Sequence, residues 1–199
     1  MTSDALKSWT TVRKSRIEQL VTAHRAVGGT APGRRWRTEQ LNWSMVMRIA
    51  GEFQGYCRDL HDLAVEKFVI SVGVDNIPLQ DLLRIQLTGG RLLDKGNAGP
   101  TQISKDFSRL GMRLWPAVYA EVGESKGLIW NQSLEKLIEA RNGIAHADDE
   151  KLARLKAQGY PINLSQVRRW VSHLDGLAET LDDLAADYLN QFLGCGRPW

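Results

Sequence analysis

Val46, Ile49, Phe53, Cys57, Leu60, Ala64 and Phe68 follow one another at steps of three and four residues. On a helix such steps bring every side chain back to one stripe, whereas on a strand they would scatter over both faces. The spacing predicts a helix over about 39–72, close to 50 Å long at ~1.5 Å per residue. A helix of that length spans a small domain from end to end and is the spine around which the rest must pack. No segment alternates at period two for long enough to make a strand, so the partners of the spine are other helices.

Those partners can be read from the same signal. Leu6, Trp9, Val12, Ile17, Leu20 and Val27 predict a first helix over 4–27, closed by Gly28-Gly29 and followed by the loop "GGTAPGRRWRT". Pro78 suits an early helical turn, and "LQDLLRIQLTGGRLLDKGN" reads as a third helix weakened by Gly89-Gly90 and ended near Gly96. Ser104 is the expected cap of a helix carrying Phe107, Leu110, Leu114 and Trp115, which Pro116 bends or ends. "NQSLEKLIEARNGIAHA" predicts a further helix. Asn163 and Gln166, spaced as a capping box, open a last one through Val167, Trp170, Leu174, Leu181 and Leu193. The expected fold is all-α, a single domain over 1–199 built as an antiparallel bundle of five to six helices.

Composition removes several function classes. The 199 residues are 43% hydrophobic and 25% charged, ordinary globular values, and no apolar run approaches the ~20 residues of a membrane helix. The polar start "MTSDALKSWT" lacks a signal-peptide apolar region, so the cytoplasm is the expected location. Cys57 and Cys195 form neither a disulfide framework nor a zinc spacing. Asp148, Asp149 and Glu150 are adjacent and so face different ways on a helix; they read as an acidic first turn rather than a metal cage. No metal and no cofactor are expected.

Chemistry concentrates in "IEARNGIAHADDE", residues 138–150. On a helix Arg141 lies about 20° from Leu134, so its guanidinium starts from the apolar side. Arginine cannot lose its charge to escape burial, and it must meet an anion, reach water or line a cleft. His146 would point about 140° from Arg141, so one intact helix does not converge the two. Two arrangements resolve this: a kink or helix end at Gly143, or two copies of the helix over 131–146 meeting across a two-fold axis. The second also gives the apolar stripe a place to pack.

"RNGIAH", within "LEKLIEARNGIAHAD" and followed by the closing helix "PINLSQVRRWVSHLDGLAETLDDLAADYL", resembles the signature of HEPN domains, with "EFQGYCRDLHDLAVEKF" upstream as their spine. The similarity covers about residues 40–193, and the helix over 4–27 would pack on that core. The layout resembles that of stand-alone prokaryotic toxins and antiviral ribonucleases, of ribosomal-stress (RiboL-PSP-like) or phage-defence kind. The resemblance implies a metal-independent endoribonuclease active as a homodimer. Arg141 and His146 of both chains would share one site, acting on RNA, with Asn142 hydrogen-bonding the phosphate or orienting a catalytic group, and an antitoxin or another defence protein would be the partner. Histidine suits the proton transfers of RNA cleavage, worth roughly 10²–10⁴ in rate, and arginine suits the nonbridging phosphate oxygens.

Other residues are candidates for support. Glu52 and Asp59, on one flank of the spine, could hold Arg141 or His146 in place; equally, the spine carboxylates could make Arg141 a plain buried ion pair. Arg34, Arg35, Trp36 and Arg37 could grip RNA by phosphate contact and stacking, or Trp36 could pack under its loop. Residues 1–40 hold eight Lys/Arg against three Asp/Glu, a bias that suits a polyanion or simply a solvated face. His24, His61 and His173 read as core or surface histidines, and Trp170 of "RRW" as core. The competing functions are a catalytically silent HEPN-like module that binds RNA or protein, and a helical dimerisation protein of other lineage.

Overall fold

The computed structural model describes residues 1–28, 38–194 and 196–199. It is 83% helical, with no strand among the described residues. The N-terminal segment runs as α1 (Asp4–Ser8), a π turn (Trp9–Arg13) and α2 (Lys14–Gly28). The spine α3 (Glu39–Val72) follows, then α4 (Ile77–Thr88), α5 (Leu92–Lys95), α6 (Pro100–Phe107), α7 (Leu114–Val122), α8 (Glu124–Ala145), α9 (Asp149–Ala157) and α10 (Leu164–Leu193).

The spine stripe is buried as its spacing requires: Val46, Ile49, Phe53, Cys57, Leu60 and Ala64 are each 0% exposed. Phe68, partly buried, meets the ring of Phe192 from α10. Directions follow from cross-helix contacts. Tyr56 Oη donates to the Ala178 carbonyl at 2.6 Å, and Phe68 faces Phe192, so α3 and α10 run parallel. Arg13 and Arg16 reach back to Asp59 and Glu52, and His173 and Gly176 sit against Ser133 and Trp130. The N-terminal segment is therefore antiparallel to α3, and α8 antiparallel to α10. The expected bundle is antiparallel at these pairings, but its central α3/α10 pair is not.

The chain also breaks into more pieces than five or six. At Gly89 a Cβ would lie 2.5 Å from the Ile85 carbonyl oxygen, and Gly90 has φ +70°, so the expected third helix divides into α4 and α5. The division turns Arg91 inward, where it is only 6% exposed and binds Asp62, Asp94 and His61. Because Arg91 donates to Nδ1 of His61, Nε2 carries the proton and donates to the Asp106 carbonyl at 3.0 Å. Burial holds the His61 pKa below the usual histidine value.

Ser104 lies inside α6, which starts at Pro100. α6 ends at Phe107, and the 3-10 turn that follows (Ser108–Leu110) stops at Gly111, φ +86°, where a Cβ would meet Tyr188 Oη at 2.6 Å. Pro116 begins a helix rather than ending one: it sits in the first turn of α7, where a missing N–H leaves no bond unmade. Asn163 caps α10 through the Gln166 N–H at 2.8 Å, yet the Gln166 side chain does not complete a capping box and accepts from Arg169 instead.

Candidate functional site

Arg141, Asn142 and Gly143 occupy the last full turn of α8, and His146 is its C-cap. The helix passes through Gly143 without a break. It closes three residues later, where the Asp148 N–H bonds the Gly143 carbonyl at 2.8 Å and the Ala147 N–H bonds that of Ile144 at 3.2 Å. This closure requires the residue after the cap to be left-handed, and Ala147 has φ 50°, a conformation costing an L-residue about 1–2 kcal/mol. Asp148 then caps α9, its side chain accepting the Lys151 N–H at 2.9 Å. That bond and the Lys151 ammonium hold the Asp148 carboxyl below its usual range. The acidic run is thus a helix start, and no metal-binding cluster occurs among the described residues.

Gly143 has another reason to be glycine. A Cβ there would lie 2.6 Å from Cδ2 of Leu152, so its absence lets α9 fold tightly back against α8. The corner between the two helices is the platform of the site: Gly143 is buried, Arg141 and Asn142 are half-buried, and His146 is exposed.

Arg141 donates from Nη1 to Asn142 Oδ1 at 3.2 Å, and the same oxygen accepts from Nδ2 of Asn97 at 2.8 Å. Two donors on one oxygen fix which way the Asn142 amide faces and leave its own NH₂ as a donor. Among the described residues no carboxylate lies within ion-pair distance of Arg141, so the reading of Arg141 as a buried ion pair to the spine does not hold. Asn97 was missed from sequence. It lies in the short loop between α5 and α6, and nothing beside it except Gly96 and Gly99 marks it out.

Glu52 and Asp59 are not brought to the motif. They bind Arg13 instead, at 2.9 and 2.7 Å, and Glu52, 4% exposed, also meets Arg16 at 3.2 Å and Arg48 at 3.3 Å. The reason lies in Gly55 between them: a Cβ there would be 2.4 Å from Arg13 Nη1, so the guanidinium lies across the bare helix backbone. The apolar stripe of α8 is spent as well. Leu134 and Leu137 are 0% exposed within the core of one chain, so a dimer packed through that stripe is not available. Arg34, Arg35, Trp36 and Arg37 lie outside the described residues, as does Cys195.

His24 and His61 are buried and His173 is half-buried, as expected of packing histidines, and Trp170 is 0% exposed. No helix is long and apolar enough to cross a membrane among the described residues. Compared with known proteins, the chain matches no family model, no curated protein and no solved structure.

Proposed function

We propose that this protein is a metal-independent endoribonuclease of HEPN type, acting in toxin or phage defence, with Arg141, Asn142 and His146 as its reacting group. The observation that carries the reading is the state of Arg141. A half-buried guanidinium with no carboxylate partner among the described residues, aligned by Asn142 and Asn97, is a cation awaiting an anion. The exposed imidazole of His146 stands at the end of the same helix. An RNA phosphodiester supplies the anion and, in its 2′-hydroxyl, a proton to be moved.

The chemistry then has a simple balance. Neutral His146 takes the 2′-hydroxyl proton, the 2′-oxygen bonds to phosphorus, and the bond to the 5′-oxygen breaks with that oxygen protonated by a second acid. The products are a 2′,3′-cyclic phosphate and a free 5′-hydroxyl. Arg141 and the Asn142 NH₂ bind the nonbridging oxygens, where charge is greatest in the transition state. The second acid is His146 of the partner subunit, brought in across a two-fold axis at the exposed α8–α9 corner.

Arginine geometry tests this reading. Arg141→Lys keeps the charge but loses the planar fork, and it should reduce kcat/KM for RNA nearly as far as Arg141→Ala, about 10²-fold or more. Circular dichroism should show both variants folded, since the guanidinium anchors no ion pair among the described residues. Near-normal cleavage by the lysine variant would remove the bidentate phosphate contact from the mechanism.

A further inference from the structure

A cleft of about 600 Å³ opens between α2, the first half of α3 and the end of α8. Leu20, Trp43, Met47, Arg48, Glu52 and Ile144 are among the residues that line it, with Gly51, and Ile144 stands between Arg141 and His146 in sequence. Trp43, Met47 and Gly51 follow at steps of four, so they form one row along α3. We infer that this cleft is a single-stranded RNA groove, in which Trp43 stacks on one nucleobase and the bare backbone at Gly51, ~12 Å further along α3, leaves room for the strand to continue.

Gly51 makes the cleft more than a packing defect. A glycine inside a helix costs about 1 kcal/mol against alanine, and elsewhere in this fold that cost has a packing return. A Cβ would lie 2.4 Å from Arg13 at Gly55, 2.4 Å from Tyr119 at Gly127, 2.6 Å from Leu152 at Gly143 and 2.5 Å from Trp130 at Gly176. At Gly51 a Cβ would meet nothing within 4 Å among the described residues. The missing side chain therefore keeps open space open, on the floor of the cleft.

The charge around the cleft selects the occupant. Arg48, with a side chain 51% exposed, lines it beside its ion-pair partner Glu52, and Arg16 and Arg13 share that carboxylate. Counting Asp59, which Arg13 also binds, three guanidiniums face two carboxylates and leave one positive charge in excess at this edge. A slot with a tryptophan wall and an edge of net positive charge fits a flat base joined to a phosphate. Identifying that polyanion as RNA rests on the ribonuclease reading above.

Binding of a short fluorescein-labelled single-stranded RNA of mixed sequence, measured by anisotropy in the His146→Ala protein so that the probe stays intact, tests the groove. Trp43→Ala should weaken binding about tenfold or more. Gly51→Leu should weaken it comparably while raising Tm, which separates a blocked cleft from a damaged fold; Gly51→Ala should raise Tm and keep affinity within about twofold. Arg48→Gln should lower the slope of log affinity against log salt by about 0.7. Unchanged affinity in both Trp43→Ala and Gly51→Leu would overturn the groove, as would RNA binding that inorganic polyphosphate displaces and Trp43→Ala leaves intact. If those two variants keep both binding and cleavage, the groove falls and the ribonuclease reading stands. If they lose binding while the native protein cuts no RNA, the groove stands and the ribonuclease reading falls.

Discussion

His146→Ala should lower RNA cleavage by about 10²–10⁴-fold while the protein remains fully folded. The size follows from the role, since losing a positioned acid or base costs that much in a proton-coupled step. The intact fold follows from the structure: His146 is exposed, and its backbone N–H, which any residue supplies, makes the capping bond to the Asn142 carbonyl at 3.1 Å. Single-turnover cleavage of a defined RNA, with thermal melting on the same preparation, checks both halves. Retained cleavage would take His146 out of the mechanism. A collapsed melting temperature would make it a structural residue instead.

Glu52→Ala should have the largest effect on stability, about 1–3 kcal/mol, because it removes a buried carboxylate from Arg13, whose side chain is only 16% exposed. Glu52 is the common acceptor of Arg13, Arg16 and Arg48, and it ties the π turn and α2 to the spine. Arg13 keeps Asp59, whose side chain is 44% exposed, so its pairing survives only in part. Urea unfolding followed by helical signal measures the loss; a change below about 1 kcal/mol would mean that solvent replaces the carboxylate. Residual ribonuclease activity in the still-folded fraction is expected, because Glu52 touches neither Arg141 nor His146.

The spine was the most legible element. The three-and-four spacing places it over 39–72, the bounds of α3, because a stripe that must be buried on several sides leaves little freedom of register. The N-terminal helix was legible in outline only. Its π turn shifts the register after Ser8, which buries Trp9 and Ile17 but leaves Val12 and Val27 each 53% exposed, and sequence spacing carries no signal for that shift. Within the site, Arg141, Asn142 and His146 could be picked out by type and order. Their supports could not, because Asn97 comes from a loop 45 residues away along the chain. The fate of Glu52 and Asp59 was encoded, in the glycine set between two carboxylates on one helical face; the arginine that fills the gap comes from another helix. Gly143 illustrates the limit of local reasoning. A glycine near a helix end suggested a bend, while its effect is to admit Leu152.

The central claim is that these residues cleave RNA by proton transfer and phosphate binding, without a metal. The most direct measurement is the chemistry of the cut ends, taken with purified protein in excess EDTA. The account predicts undiminished cleavage, with 2′,3′-cyclic phosphate on the upstream fragments and 5′-hydroxyl on the downstream ones, and loss of both products in His146→Ala. Cleavage that requires Mg²⁺ and leaves 5′-phosphate ends, or RNA left whole by the native protein, would contradict it.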